Sequence, residues 1–274
     1  MLPRFRSLAR PLVMGVLNVT PDSFSDGGKY FRAADAIERA RQMVADGADL
    51  IDLGGESTRP GSEPVTADEE RRRVLPVLEA IAGKIGVPIS IDTYKAEVAG
   101  AALAAGAEIV NDISGGRMDP EMLSLVAAKN VPIILGHIRG TPREMQDDPR
   151  FQDVVQEVAD ELEESAVRAE ELGIPRENVL VDPGIGFGKK LEHNLALLKH
   201  LGEIVERGRP VVVGVSRKKF IGMLLDNAAP DDRVEGTAAA TALCVAAGAA
   251  VIRVHDVKQM ARVVRVAAAI VRAP

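Results

Sequence analysis

The sequence predicts a (β/α)8 TIM barrel with long loops after strands 1 and 2. Eight apolar segments have the character of buried strands, and each is followed closely by a polar or ionisable residue. Patterns with apolar residues three and four positions apart alternate with these segments and indicate helices. In such a barrel the carboxyl ends of the strands meet on one face, where active sites are built. The pattern therefore predicts the fold and also the face that carries the chemistry.

Each of the eight predicted strands is an apolar segment followed by one or two polar residues. They are LVMGVL before Asn18, DLIDLGG before Glu56, PISI before Asp92, EIV before Asn111, PIILG before His137, VLV before Asp182, VVVGV before Ser216 and Lys218, and AAVI before Arg253 and His255. Nearly continuous apolar strands are typical of a parallel sheet that is covered on both faces.

A helical pattern follows each strand. The segments are DAIERARQMVADGA, ADEERRRVLPVLEAIAG, YKAEVAGAALAAGA, DPEMLSLVAAK, FQDVVQEVADELEESAVRAEELG, LEHNLALLKHLG, KKFIGMLLD with VEGTAAATALCVAAG, and VKQMARVVRVAAAIV. A short motif, ADGA or AAGA, recurs at 45–48, 104–107 and 246–249, each time just before a strand. Its glycine can end a helix in a left-handed cap, so the repeat predicts one recurring helix-to-strand junction.

Length and composition suit one globular domain. The 274 residues are close to the roughly 250 of a single barrel, so we expect one domain over 1–274. A net charge of −6 argues against a nucleic-acid partner. The N-terminus lacks the apolar core of a signal peptide, and no uncharged run is long enough for a membrane span. The single cysteine, Cys244, is expected to be a small buried hydrophobe, which fits a reducing, cytoplasmic location.

Three loops rich in Gly, Pro or small polar residues follow strands, at 18–28, 54–65 and 139–149. Loops of this length in a barrel are more often binding loops or lids than linkers. The glycines at 184, 186 and 188 do not form a nucleotide loop, because Pro183 and Lys190 stand where a P-loop needs Gly and Ser or Thr. We interpret these glycines as positions where a ligand approaches the backbone closely.

The strand-end carboxylates point to a flat nitrogen heterocycle as ligand. Asp92 and Asp182 each end an apolar strand, and a buried carboxylate must be paired or hydrogen-bonded. A carboxylate accepts two parallel N–H bonds, as a guanine or pterin edge would offer. Asn111 supplies both a donor and an acceptor, and Lys218 can donate to a ring carbonyl or nitrogen. For either aspartate alone, a bond to the backbone of the next loop remains an alternative.

Arg253 and His255 lie two positions apart in the last strand, so their side chains point the same way. The loops after the last two strands are the usual phosphate corner of this fold, and Arg suits phosphate geometry. The alternative for Arg253 is a salt bridge with Asp256 or a neighbouring loop. Asp52 is expected to be a structural residue near the rim. His137 is compatible with either a site role or a structural one.

These residues lie in segments that resemble dihydropteroate synthases. The two diagnostic stretches are MGVLNVTPDSFSDGG at 14–28 and GADLIDLGGESTRPG at 47–61. The similarity continues, in the family's order, through ISIDT (89–93), VNDISGG (110–116), DPGIGFGK (182–189), GVSRKKFIG (214–222) and RVHDV (253–257). It extends over essentially the whole chain from about Met14.

The resemblance implies a folate-pathway transferase that condenses a dihydropterin diphosphate with 4-aminobenzoate, requires Mg2+ and forms a homodimer through its late helices. It assigns the pterin to Asp92, Asn111, Asp182 and Lys218. It assigns the diphosphate to Asn18, Thr58, Arg59, Arg253 and His255, with Asn18 also near the metal. The aminobenzoate pocket would be lined by Phe24, Pro60 and Lys219. Catalysis would rest on Asp26, Arg59, Lys218, Arg253 and His255, with Asp26 stabilising the reacting methylene.

The chemistry expected from the residues agrees with this resemblance. Departure of diphosphate leaves a delocalised cation on the pterin, so the leaving charge must be neutralised, by Mg2+, Arg253 and His255. An aniline nitrogen needs no strong base, and the sequence shows no nucleophile–base pair. Two alternatives remain: a methyltetrahydrofolate-binding methyltransferase domain, and a non-catalytic pterin-binding paralogue. The diphosphate-binding residues argue against the first, and the intact loops against the second.

Overall fold

The computed structural model describes residues 10–20, 29–59 and 61–274. Eight strands lie in this part of the chain: β1 Leu12–Asn18, β2 Leu50–Gly54, β3 Ile89–Asp92, β4 Ile109–Asp112, β5 Ile133–Gly136, β6 Val179–Asp182, β7 Val212–Gly214 and β8 Val251–Val254. The helices described with them are α1 Lys29–Ala45, α2 Ala67–Ile81, α3 Ala96–Ala104, α4 Met122–Lys129, α5 Val154–Glu171, α6 Leu191–Lys199, α7 Leu201–Glu206, α8 Lys219–Leu224, α9 Val234–Ala246 and α10 Val257–Val271.

All strand pairs are parallel, and the strands form one sheet in the order β6-β5-β4-β3-β2-β1-β8-β7. The sheet closes where Val181 of β6 bridges Val211 beside β7, and the amide of Val181 donates to the carbonyl of Pro210 at 3.1 Å. The predicted (β/α)8 barrel is therefore confirmed.

The barrel interior is filled by a separate apolar cluster beneath the polar rim. Its members all come from strands: Leu12, Met14, Leu50, Ile109, Ile134, Leu180, Val212 and Val251. Because side chains alternate along a strand, the residue two positions later faces the same way. Two positions after Leu50, Ile109, Leu180 and Val251 stand Asp52, Asn111, Asp182 and Arg253. The apolar cluster thus forms the floor of the barrel mouth, and the polar residues two positions later in each strand form the layer of the candidate site directly above it.

The predicted recurring junction is present three times with the same geometry. Gly47, Gly106 and Gly248 have φ of 107°, 108° and 94°, in the region that favours glycine. In each case the amide of the following alanine reaches back to a carbonyl five residues earlier, at 2.9 to 3.0 Å. This left-handed ending turns the chain from helix into strand within two or three residues.

Several helical predictions differ from the structure in number or bounds, and α1, for example, begins at Lys29 and not at Asp35. The segment LEHNLALLKHLG forms two helices, α6 and α7, divided at His200. The helix expected from Phe151 begins at Val154, because Asp153 caps it through the amides of Val155 and Gln156. Cys244 is buried in α9, as predicted. None of the helices in the described ranges is long and apolar enough to cross a membrane.

Candidate active site

The carboxyl ends of the strands bring the predicted side chains together across the mouth of the barrel. The register aligns Asn18 of β1 with Gly54 of β2, Gly54 with Asp92 of β3, and Asp92 with Asn111 of β4. A Cβ on Gly54 would come within 3.3 Å of Asn18 Oδ1 and 3.5 Å of Asp92 Cβ. Glycine at this position therefore lets the Asn18 and Asp92 side chains lie over the same point of the rim.

Arg253 lies at the centre of this face and bonds to two carboxylates. Its Nε donates to Asp52 Oδ2 and its Nη2 donates to Asp92 Oδ2, both at 2.6 Å. Asn111 Nδ2 donates to the same Asp52 oxygen at 3.0 Å. Asp52 is fully buried, so its charge requires these partners. The alternative that Arg253 pairs with Asp256 is excluded, because Asp256 bonds to Arg217 at 2.6 Å.

The two carboxylates share one guanidinium, and this affects the ionisation of Asp92. Burial raises the pKa of Asp92 to about 7, with Arg253 opposing the shift and Asp52 adding to it. Burial alone would lower the pKa of Arg253, but Asp52 and Asp92 raise it well above its usual value. Arg253 therefore stays charged, while Asp92 exchanges a proton near neutral pH.

The sequence left two roles open for Asp182, ligand binding and a hydrogen bond to the backbone of the next loop, and its position allows both. Its Oδ1 accepts the amide of Gly184 at 2.7 Å, which is the structural bond to the next loop. That bond uses one acceptor position of a group that has about four. Burial raises the pKa of Asp182, and the Gly184 amide and Lys218 oppose the shift. The carboxylate is thus held in place by the loop and still has acceptors for a ligand.

Lys218 extends over the loop that follows β6. Its Nζ lies 4.2 Å from the centre of the Phe187 ring, in cation–π geometry. A Cβ on Gly186 would lie 3.1 Å from Lys218 Cδ, so the lysine stem lies against this backbone. Burial lowers the pKa of Lys218 to about 8, with Arg253 adding to the shift and Asp182 opposing it. Phe187 was missed by the sequence analysis, and its position between two glycines of the loop was the available signal.

His137 is a structural residue, so the second of the two roles left open is the correct one. It is buried, and its Nδ1 accepts from Lys189 Nζ at 2.9 Å. Its Nε2 therefore carries the proton and donates to Glu161 Oε2 at 3.0 Å. Burial lowers the pKa of His137 to about 4, in keeping with a neutral ring.

The interpretation of Gly184 as a site of ligand approach is wrong. A Cβ there would lie 1.9 Å from the carbonyl oxygen of His137, so the close neighbour is backbone. Lys189 secures the same contact, since its Nζ also donates to the carbonyls of His137 at 3.3 Å and Phe187 at 2.9 Å. Gly184 and Gly188 thus serve to pack the loop after β6 against the loop after β5, whereas Gly186 lies against the stem of Lys218.

His255 lies beside the strand-end residue Ser216. Its amide donates to Ser216 Oγ at 3.1 Å, and its Nδ1 lies 3.1 Å from the same oxygen. The Ser216 hydroxyl is thus placed to donate to Nδ1, which leaves the proton of a neutral ring on Nε2. Burial and the nearby Arg253 lower the pKa of His255 to about 3. His255 therefore offers an N–H donor rather than a positive charge.

The remaining candidates lie on the loop after β2 and at the start of α8. Thr58 is half-buried and Arg59 is exposed in the loop between β2 and α2, and Lys219 is exposed as the first residue of α8. Among the described residues, no hydrogen bond or ion pair joins these three to the Arg253 cluster. The other predicted loop residues, Phe24, Asp26 and Pro60, lie outside the described residues.

A barrel whose mouth presents carboxylates, an amide and a lysine for a flat heterocycle is a pterin-binding enzyme, and the family model "Pterin binding enzyme" matches residues 14–255. The curated dihydropteroate synthase of Synechocystis sp. is 47% identical over 96% of this chain and 91% of its own length. The dihydropteroate synthase of Bacillus subtilis is 49% identical over 93% of this chain and 87% of its own length. The chain belongs to the dihydropteroate synthase family, whose members are transferases.

Solved structures agree with this assignment. A Xanthomonas albilineans dihydropteroate synthase with 4-aminobenzoic acid has a TM-score of 0.91 and 44% identity, covering 97% of this chain and 94% of that one. A Yersinia pestis dihydropteroate synthase in complex with a sulfonamide drug has a TM-score of 0.92 and 42% identity over the full length of both chains. The resemblance inferred from the sequence motifs is confirmed at the level of fold and family.

Proposed function

We propose that the rim of the barrel condenses 6-hydroxymethyl-7,8-dihydropterin diphosphate with 4-aminobenzoate to give 7,8-dihydropteroate and diphosphate. The observation that carries this proposal is the buried cluster in which Arg253 bridges Asp52 and Asp92 while Asp52 holds Asn111. The cluster joins Arg253, which is predicted to bind the diphosphate, to Asp92 and Asn111, which are predicted to bind the pterin, in one hydrogen-bonded unit.

The pterin would lie flat over the apolar floor with its edges toward the strand ends. Asp182, already oriented by Gly184, accepts the N–H groups of the amino-pyrimidinone edge. Asn111 is oriented by Asp52 and presents its amide oxygen to the ring. Lys218, lying over Phe187, donates to a ring carbonyl or nitrogen. Each of these side chains is positioned before any ligand arrives, which lowers the entropic cost of binding.

The diphosphate would lie toward β1, β2 and β8. Arg253 contributes the permanent charge, and His255 contributes an Nε2–H donor. Asn18 reaches the same side of the rim beside Gly54, and Thr58 and Arg59 lie on the loop that follows β2. The cations Arg59 and Arg253 and the neutral donors come from the ends of β1 and β8 and from the loop after β2. Such a set suits the spread-out charge of a diphosphate.

The residues present fit a magnesium ion held jointly by protein and substrate. In the described part of the chain, no group of three or more His, Cys, Asp or Glu side chains forms a metal cage. Mg2+ is commonly held by one or two protein oxygens together with substrate phosphates and water. Asn18 Oδ1 is a hard oxygen donor of that type at the predicted diphosphate position. When bound, the ion would neutralise charge on the leaving diphosphate.

In the reaction, the C–O bond to diphosphate breaks and leaves a delocalised cation on the pterin methylene, and the amine nitrogen of 4-aminobenzoate then forms its bond to that carbon. The electron pair of the C–O bond leaves with the diphosphate, where Arg253 and His255 stabilise it, and the amine gives up one proton. We assign Asp26 to stabilising the methylene and Phe24, Pro60 and Lys219 to the aminobenzoate pocket. An exposed Lys219 beside Lys218 supplies a cation for the carboxylate of that substrate.

A calorimetric comparison separates this function from the two alternatives. The dihydropterin diphosphate with Mg2+ should bind more tightly than methyltetrahydrofolate, because only the former uses the diphosphate-binding side chains. A methyltransferase domain would show the opposite order. A non-catalytic paralogue would bind the diphosphate substrate but release no diphosphate when 4-aminobenzoate is added.

We further propose that the chain works as a cytoplasmic homodimer joined through α9 and α10. These helices pack against each other and leave large apolar side chains exposed, with Leu243, Val266 and Ile270 each 60% or more accessible. Exposed apolar patches of this kind are typical of protein interfaces. Light scattering should give twice the chain mass for the wild type and the monomer mass for Ile270→Glu.

A further inference from the structure

A second ionic cluster lies beneath the loop between β2 and α2 and takes no part in the proposed chemistry. It consists of Glu56, Glu70, Tyr94 and Lys95. Lys95 Nζ bonds to Glu56 Oε2, and it bonds to Glu70 Oε2 at 2.6 Å. The hydroxyl of Tyr94 donates to Glu56 Oε1 at 2.7 Å. One lysine from the β3α3 loop thus joins the β2α2 loop to helix α2.

Burial makes Lys95 essential to this arrangement. The side chains of Glu56 and Glu70 are only 5% and 1% exposed, and Lys95 is the cation that pairs with both among the described residues. Burial raises the pKa of Glu70, and Lys95 opposes that shift. Removing one partner of a buried ion pair leaves an uncompensated charge. The protein can relieve it by protonating the carboxylate, as the raised pKa of Glu70 favours, or by moving the charged group toward water. Glu56 is the group on a loop, so it is the one free to move.

Glu56 is also the last fixed point before the residues assigned to substrate binding. Directly before it, a Cβ on Gly55 would lie 2.7 Å from Val74 of α2, so the backbone is held close to that helix. Thr58 and Arg59 follow within three residues. The loop returns to the same anchor, because the amide of Val65 donates to Glu56 Oε2 at 3.3 Å. Glu56 therefore ties both ends of the 57–65 segment to one carboxylate, while within the segment the amide of Gly61 donates to the carbonyl of Pro142 at 3.1 Å.

We propose that Lys95 is a positioning residue that fixes the β2α2 loop, and with it Thr58 and Arg59, for the diphosphate and 4-aminobenzoate. This inference rests on the proposed function for the loop. It predicts an effect centred on one side of the site, because Asp182 and Lys218 are held by the β6α6 loop on the other side of the barrel. Asp92, the pterin residue nearest to Lys95 in sequence, is held separately by Arg253. Loss of Lys95 should therefore weaken use of aminobenzoate and spare the binding of a pterin without diphosphate.

The test compares Lys95→Met with Lys95→Arg and with the control Arg71→Met. Arg71 of α2 also makes ion pairs, with Asp68 of its own helix and with Glu97 of α3, but on the exposed surface and away from the loop. We expect Lys95→Met to raise the KM for 4-aminobenzoate at least tenfold. Lys95→Arg should bring the KM most of the way back to the wild-type value, and Arg71→Met should change it less than twofold. The Kd of a pterin lacking diphosphate should stay within twofold in all three.

Hydrogen exchange of the 57–65 amides supplies a readout that does not depend on turnover. Lys95→Met should speed exchange in this segment, and Arg71→Met should not, even if the wild type proved to make no dihydropteroate. If Lys95→Met fails to fold, Tyr94→Phe removes only the hydroxyl bond to Glu56 and should shift both readouts in the same direction by a smaller amount. Unchanged exchange and KM in a folded Lys95→Met, or an equal loss of pterin affinity, would overturn the proposal.

Discussion

Asp52 Oδ2 receives hydrogen bonds from two directions, from Arg253 Nε at 2.6 Å and from Asn111 Nδ2 at 3.0 Å. Asp52 and Arg253 are 201 residues apart and come from β2 and β8, on either side of β1. The fully buried carboxylate of Asp52 therefore connects Arg253, predicted to bind the diphosphate, to Asn111, predicted to bind the pterin. A ligand that moves Arg253 acts on the orientation of Asn111 through this single oxygen.

Replacement of Arg253 by alanine should weaken the diphosphate substrate far more than a pterin without diphosphate. A charge-assisted hydrogen bond is worth about 1.5–3 kcal/mol, so we expect a loss of roughly 10-fold to 100-fold for the diphosphate substrate. The comparison should be made by calorimetry at pH 8.5, because loss of Arg253 also favours protonation of Asp92.

A thermal melt must accompany that experiment, since Asp52 would lose a partner in a buried site, which can cost about 3–5 kcal/mol. Arg253→Lys serves as the control that keeps a positive charge beside Asp52 and Asp92. Equal weakening of both ligands in a folded variant would mean that Arg253 is structural, and its assignment to the diphosphate would fail.

Replacement of Asp182 by asparagine should weaken pterin binding by about 1.5–3 kcal/mol, because a charge-assisted pair of N–H bonds is lost and an NH2 group faces donors. Asp160→Asn, on the surface of α5 and paired with Arg207, makes the same chemical change away from the mouth and should have no effect. Calorimetry with a pterin lacking diphosphate measures both. Unchanged affinity in a folded Asp182→Asn variant would rule out the role.

Pterin affinity should depend on pH on both sides of neutrality. Asp92 has a raised pKa of about 7, so below that pH it carries a proton and accepts fewer N–H bonds. Affinity is therefore full above about pH 7 and falls as the pH is lowered through it. Lys218 has a lowered pKa of about 8, so affinity falls again as the pH rises through that value. Asp92→Asn should reduce the acid-side fall and leave only the part due to Asp182, whose pKa is also raised by burial. Lys218→Met should remove the alkaline-side fall. An acid-side fall unchanged in Asp92→Asn, or an alkaline-side fall unchanged in Lys218→Met, would refute that residue's assignment.

A sulfonamide, which mimics 4-aminobenzoate, should bind weakly to the free protein and much more tightly with pterin, Mg2+ and diphosphate present. Asn18 and Arg59 lie on or beside the loops at 18–28 and 54–65, and ligands that draw them in would order the pocket assigned to Phe24 and Pro60. The ordering cost is then already met when the drug arrives. Titration with and without the three ligands tests this, and equal affinity would show that the pocket is preformed.

The barrel and the rim could be predicted because they follow from local patterns. Apolar runs ending in Asp92, Asn111 and Asp182 specify parallel strands, and parallel strands place their ends on one face. The pairing of Arg253 with Asp52 could not be predicted, because it depends on the stagger of strands that are far apart in sequence. The buried state of His137 depended in the same way on Lys189 and Glu161, which come from other elements.

The cluster around Lys95 also escaped the sequence analysis, although Glu56 had been noted as a strand ending. Neither Lys95 nor Glu70 stands out in a helical or loop pattern, and a lone lysine at a helix start is usually solvated. Only the fold brings both carboxylates onto it. Contacts of this kind are specified by tertiary packing and not by spacing along the chain.

The most direct test of the account is to follow diphosphate and dihydropteroate together when the purified chain receives the dihydropterin diphosphate and Mg2+. With 4-aminobenzoate present, we predict that both products appear in equal amounts and that Lys218→Met or Arg253→Ala slows both. Without it, neither should accumulate at a comparable rate. Diphosphate release that is indifferent to 4-aminobenzoate, or no release with all substrates present, would contradict the assignment of this rim as the site of condensation.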